Sequence, residues 1–109
     1  MAAASRIRMP ERAKAGEIIE VRTLMFHPME SGFRLDNKGQ PIPRHIVEDF
    51  TCSYAGAIVF RARLYPAVAT NPYVVFHVRA TVSDELLFRW TDDHGVVVTE
   101  RLRLEVTPG

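Results

Sequence analysis

The chain has 109 residues, 47% of them hydrophobic and 25% charged, an ordinary globular composition for one domain. With 14 basic and 13 acidic side chains the formal charge is +1, so no global field draws nucleic acid or an anionic membrane. The single cysteine, Cys52, excludes an internal disulfide and a cysteine-rich zinc site, and no stretch approaches the ~20 apolar residues that span a bilayer.

Alternation of apolar and polar residues dominates the chain, and no segment of useful length has helical period. Residues 5–9 read as a short first strand ended by Pro10. Arg6, Arg8, Arg12 and Lys14 make this end basic, and residues 1–14 are expected to form a flexible or loosely paired N-terminal arm. Residues 17–26 are a strand with Ile19, Val21, Thr23 and Met25 on one face and Ile18, Glu20, Arg22 and Leu24 on the other.

Pro28 and Gly32 stop that strand and open an irregular stretch from 27 to 45. Loops of this length are uncommon in compact domains and often functional. An internal hairpin around Lys38-Gly39 would shorten it. Met25, Phe26, Met29 and Phe33 cluster where regularity ends, which is poor chemistry for a solvated loop. Methionine suits adaptable contacts, so the cluster is expected either to pack on the core or to meet a partner.

Residues 46–54 alternate again, with Ile46, Phe50, Cys52 and Tyr54 on one face and Val47, Asp49, Thr51 and Ser53 on the other. Ala55-Gly56 turns the chain into residues 58–65, where Ile58, Phe60, Ala62 and Leu64 should face inward and Arg61 and Arg63 outward. Residues 73–82 follow, with Val74, Phe76, Val78, Ala80 and Val82 inward. Residues 85–91 carry Leu86, Phe88 and Trp90 inward. Asp92-Asp93-His94-Gly95 is a hairpin turn, because Asp and Gly tolerate positive φ. Residues 96–106 are the last strand. About seven short strands separated by turns predict an all-β fold, an immunoglobulin-like antiparallel β-sandwich, as a single domain over residues 1–109.

Chemistry is sparse. The histidines are His27, His45, His77 and His94, and no two stand at metal-ligand spacing on one strand face. His27 and His45 bracket the long loop and would meet in space, with Cys52 or Glu30 as a third ligand if a metal were held. Cys52 shares a face with Phe50 and Tyr54 and so reads as a buried structural thiol rather than a nucleophile. No Gly-x-Ser-x-Gly elbow and no glycine-rich phosphate loop is present. Arg61 and Arg63 form a same-face pair that would bind an anion or lie solvated. No cofactor and no catalytic residue is expected. The N-terminus has no apolar h-region, and on its own residues the chain reads as cytoplasmic.

Several motifs together carry a resemblance. They are Lys14-Ala15-Gly16-Glu17, His27-Pro28-Met29-Glu30-Ser31-Gly32, Arg44-His45-Ile46-Val47, Val59-Phe60-Arg61-Ala62, Ala69-Thr70-Asn71-Pro72-Tyr73 and Trp90-Thr91-Asp92-Asp93. The chain resembles the SoxZ family, the small subunit of the SoxYZ sulfur-carrier heterodimer of bacterial thiosulfate oxidation. The resemblance implies a non-catalytic partner of a SoxY-like subunit whose C-terminal cysteine carries thiosulfate-derived intermediates, visited in turn by the pathway's enzymes. It implies the periplasm, with export alongside the partner. The sequence closes on Glu105-Val106-Thr107-Pro108-Gly109 without a Gly-Gly-Cys-Gly-Gly tail, as expected of the supporting subunit. Met25, Phe26, His27, Met29, Phe33, Asn71, Pro72 and Tyr73 are the expected partner-binding residues. The alternative is a small metal-dependent redox enzyme on the same scaffold, using His27, His45 and Cys52.

Overall fold

Strands β1 (Ser5–Arg8), β2 (Arg12–Lys14), β3 (Ile18–Met25), β4 (Val47–Tyr54), β5 (Ala57–Arg63), β6 (Tyr73–Arg79), β7 (Asp84–Asp92) and β8 (Val97–Thr107) make up the computed structural model, which describes residues 4–66, 68 and 70–109. They form two sheets, ordered β1-β3-β6 and β2-β8-β7-β4-β5. Every pairing is antiparallel except β2 with β8. The all-β sandwich is the predicted class, with one strand more than the sequence pattern suggested.

The additional strand comes from the segment expected to be an arm. Pro10 ends β1, the chain crosses to the other sheet, and β2 pairs in parallel with Glu105–Thr107 of β8. The described part of that segment therefore pairs with both sheets of the sandwich. Residues 1–3 of the predicted arm, and Ala69 of the Ala-Thr-Asn-Pro-Tyr motif, lie outside the described residues.

The core lies between the sheets where the alternation placed it. Ile19, Val21, Thr23 and Met25 of β3 face Phe50, Cys52, Leu86, Phe88, Trp90 and Leu104, all buried. The Thr23 hydroxyl donates to the Val74 carbonyl at 2.9 Å, which satisfies a polar group inside an apolar layer. Phe76 on one sheet lies 4.3 Å from Phe60 and 5.9 Å from Phe50 on the other, ring centre to ring centre. Phe50 in turn meets Trp90 at 5.0 Å. Aromatic pairs at such spacings add about 0.5–1.5 kcal/mol to their burial.

Three facing assignments differ from the alternation. Val47 is buried beside Ile46, because the β4–β7 register shifts between Val47 and Asp49. Ile58 is 60% exposed. Cys52 pairs with Phe60 but Ser53 pairs with Ile58, so Val59 is an extra residue and the phase inverts before Phe60. Val82 is exposed, because β6 ends at Arg79 and Val82 lies in the turn before β7. Arg61 is not free for an anion: its guanidinium forks onto Asp49 at 3.1 Å twice.

Tyr54 closes one end of the sandwich. Its hydroxyl accepts the amides of Thr81 and Val82, each at 3.0 Å, and donates to the Val82 carbonyl. Tyr54→Phe leaves two amides without an acceptor and should cost about 1–3 kcal/mol in urea unfolding, with the β spectrum unchanged. Cys52 is fully buried, and burial pushes its thiol up to about 12. We expect a thiol reagent to label it slowly in native buffer and rapidly in denaturant; equal rates would place it at the surface.

Candidate functional site

The irregular stretch between β3 and β4 is itself folded. Leu35 bridges to Pro41, and Ile42 donates to the Arg34 carbonyl at 2.9 Å. The Asp36 carboxylate caps the tip by accepting the amides of Lys38 and Gln40. This is the internal hairpin expected at Lys38-Gly39. At its base Glu30 and His45 exchange both backbone hydrogen bonds, at 2.8 and 2.9 Å. His27 and His45 are thereby brought to the same end of the sandwich.

That end is organised around the β7–β8 hairpin. One oxygen of Asp92 accepts the amides of His94 and Val96, both at 2.9 Å, and the other accepts Nε2–H of His45 at 2.9 Å. Asp93 accepts the Ile46 amide at 3.0 Å and the Arg44 guanidinium at 2.9 Å. His94 stacks on His45 with centroids 3.9 Å apart, and its Nε2–H donates to the Arg44 carbonyl. His27 meets the edge of His45 at 4.5 Å. The Asp-Asp pair therefore does more than form its own turn: it grips the exit of the long loop. Burial works to raise both carboxyls, but the donors outweigh it and hold both below the usual aspartate range.

His27 is the chemically telling member. It is 7% exposed, and its Nδ1 accepts the Met29 amide at 3.0 Å. The ring proton must then sit on Nε2, which points towards Asp92 from 3.9 Å and has no hydrogen-bond partner. Burial and the neighbouring His45 lower its pKa.

Two groups have the composition of metal sites. His27, His45 and Asp92 form one, and His45, Asp93 and His94 the other, with ligand atoms within 4.8 Å. The hydrogen bonding does not fit a metal on Nε2 of any of the three imidazoles. His27 would have to give up the Met29 amide, and the Nε2 protons of His45 and His94 are already donated. Cys52 belongs to neither group, so the set His27, His45 and Cys52 is not assembled.

The residues expected at a partner surface divide. Met25, His27, Met29 and Pro72 are buried within this chain. Met29 adopts φ +53°, and its sulfur accepts the Val47 amide at 3.2 Å, so it is a core plug rather than an adaptable contact. Asn71, at φ +54°, accepts the His27 amide and donates to the His27 carbonyl, both at 2.8 Å. Phe26, Phe33 and Tyr73 remain 40%, 86% and 58% exposed. The structure brings His27 and Asn71 together, and sequence reasoning missed Asp92, Asp93 and Arg44 as the parts that hold the loop end. The Arg44-His45 and Asp92-Asp93 motifs were visible signals, but their pairing across 47 residues was not.

A two-sheet sandwich with its long loop tied at one end defines a small all-β domain. A family model described as "Sulphur oxidation protein SoxZ" matches residues 7–103, and the chain belongs to that family. No curated protein matches the sequence. Among solved structures, superoxide reductase (neelaredoxin) from Ignicoccus hospitalis superposes with a TM-score of 0.75 at 18% identity, over 96% of this chain and 81% of that one. The sulfur carrier protein SoxY from Chlorobium limicola f thiosulfatophilum superposes with a TM-score of 0.68 at 16% identity, over 97% of this chain and 81% of that one. At such identities the likeness shows the fold alone.

The lowered pKa of His27 sets a pH dependence with a definite sign. Below about pH 6.5 the unfolded chain takes up a proton that folded His27 resists, so stability falls as pH drops from about 7 to 5. The loss of stability deepens near pH 4 and below, where the unfolded carboxyls of Asp92 and Asp93 protonate before the folded ones. Urea midpoints across this range should show both steps. In His27→Asn the upper slope should disappear while the lower one stays.

Proposed function

We propose that this chain is the non-catalytic subunit of a sulfur-carrier pair. It binds a SoxY-like subunit and supports it while that subunit's C-terminal cysteine carries thiosulfate-derived sulfur to the enzymes of the pathway. The observation that carries this reading is the family match across residues 7–103. We assign the pair to the periplasm on the same resemblance.

The physical chemistry of the chain agrees with a supporting role. A mobile arm bearing a reactive sulfur group needs a rigid body, and the long loop here is pinned by carboxylates at its base. In the cluster that has the composition of an active site, Nδ1 of His27, Nε2 of His45 and Nε2 of His94 are engaged by the Met29 amide, Asp92 and the Arg44 carbonyl. The sole thiol is buried. Phe26, Phe33 and Tyr73 leave large apolar surface at that end of the sandwich, and exposed aromatic groups of this kind mark interaction sites. Permanent pairs commonly bury above about 2,000 Å².

Co-expression with a SoxY-like subunit and measurement of the pair's affinity test the proposal. Phe26→Ser combined with Phe33→Ser should weaken association by more than about 2 kcal/mol and leave the thermal midpoint of the free chain nearly unchanged. The isolated chain should not consume thiosulfate. Steady consumption abolished by His27→Asn or Cys52→Ser would overturn the reading.

A further inference from the structure

The outer face of the three-stranded sheet carries a conflict that folding does not explain. Arg8 of β1 and Arg22 of β3 are register partners. Like charges set opposite one another on antiparallel strands are destabilising. Arg6, two residues before Arg8, shares its face and stands opposite Leu24. Glu20 is the carboxylate at hand, but it takes the Arg22 guanidinium and also faces His77 at 3.7 Å. Among the described residues neither Arg6 nor Arg8 forms an ion pair. Arg6 lies over the Phe26 ring, 5.7 Å from its centre.

These side chains border a cleft of about 280 Å³, lined by Arg6, Arg8, Arg22, Thr23, Leu24 and Tyr73. The sequence alone offered a basic N-terminal arm, which would ordinarily be solvated. The fold changes that reading, because Arg6 and Arg8 are fixed on a paired strand, Arg8 stands opposite Arg22, and all three line one cleft.

We propose that this cleft binds a tetrahedral oxyanion of the sulfate type. The guanidinium fork matches the oxygen spacing of such ions and forms paired charge-assisted hydrogen bonds to them. Arg6 and Arg8 supply the charge without an ionic partner among the described residues, and Arg22 and Tyr73 border the same space. The volume lies below the ~300–1,000 Å³ of clefts that hold drug-sized ligands, which suits a small ion with part of its water. A bound dianion turns the opposed Arg8–Arg22 pair from a cost into a contact. The ligand chemistry is shared by a free ion and by a sulfo group at the end of a larger molecule. The proposal needs no partner subunit and stands apart from the carrier reading.

The experiment titrates sodium sulfate into the full chain at constant ionic strength, balanced with sodium chloride, and follows NMR shifts and the thermal midpoint. Saturable shifts confined to Arg6, Arg8, Arg22 and Tyr73 are expected, with a rise in midpoint as sulfate binds the folded chain. Arg8→Gln should weaken sulfate binding by about tenfold or more. In sulfate-free, low-salt buffer the same variant should melt higher than the parent, because the opposed charges are gone. Arg6→Gln should weaken binding without that rise, since it leaves the Arg8–Arg22 pair in place. Methanesulfonate presents the same oxygens on a carbon: tighter binding than sulfate identifies a tethered sulfo group, and weaker binding a free dianion. A sulfate response that chloride reproduces at equal ionic strength, or affinity unchanged in both variants, would overturn the proposal.

Discussion

Two adjacent carboxylates at a hairpin tip hold this molecule's long loop in place. Asp92 and Asp93 accept five hydrogen bonds between them, two from their own turn and three from the segment Arg44–Ile46. Without that grip the chain between β3 and β4 would lose its anchor at the point where it re-enters the sheet. Ordering each residue costs about 1–2 kcal/mol of backbone entropy, which a polar, largely exposed segment recovers poorly by burial. The loop is stable because its return end is tied to a strand hairpin of the five-stranded sheet. Its outgoing end is tied at His27 by both backbone groups' bonds to Asn71. The two ties meet at three imidazoles, His45 stacked on His94 and met edge-on by His27.

This explains which parts of the structure were legible in the sequence. Alternation assigned the inner faces of β3 and β7 correctly, because both strands run without a bulge against well-covered neighbours. It misassigned Val47 and Ile58, because a register shift reverses phase and nothing local announces it. Apolar side chains in an irregular segment leave the Met25–Phe33 run two readings, packing on the core or on a partner, and Met25, Phe26, Met29 and Phe33 are expected at the partner. Met29 is instead buried at positive φ with its sulfur accepting a backbone amide, an arrangement that depends on Val47 arriving from a distant strand. Propensity disfavours such a conformation for methionine, and tertiary packing overrides it. The role of Asp92 and Asp93 was hidden for a related reason: their turn chemistry accounted for them locally, and the carboxylates' remaining acceptor capacity had no visible claimant.

Proteins described as a superoxide reductase and as a sulfur carrier share this sandwich at under 20% identity. A fold with that spread of chemistry passes on its scaffold and not its activity. In this chain the loop end is tied by its own side chains. An imidazole becomes a metal ligand or a general base only when it has a lone pair to offer. Here the Nδ1 lone pair of His27 is engaged by Met29, and the Nε2 protons of His45 and His94 are donated. These bonds make the cluster a clasp between the two loops; they occupy the one lone pair of His27 and do not involve the Nδ1 lone pairs of His45 and His94. Protonation of His27 is the perturbation that this clasp resists least gracefully, since a second ring proton would confront the Met29 amide.

Opposite in character is the arginine face of β1 and β3. The clasp pairs both of its carboxylates with named donors; the arginine face, among the described residues, leaves two guanidinium groups without an ionic partner and sets one of them opposite a third. Local choices in a folded protein generally agree with one another, and a disagreement that persists is a feature kept for another reason. Solvent screening makes the conflict tolerable on an exposed face, and it would not be tolerable in the buried cluster at the loop end. The two regions divide the molecule's polar chemistry accordingly: carboxylates and imidazoles tied to one another and to the backbone at the loop end, and guanidinium groups on the outer face of the small sheet, fixed by strand pairing.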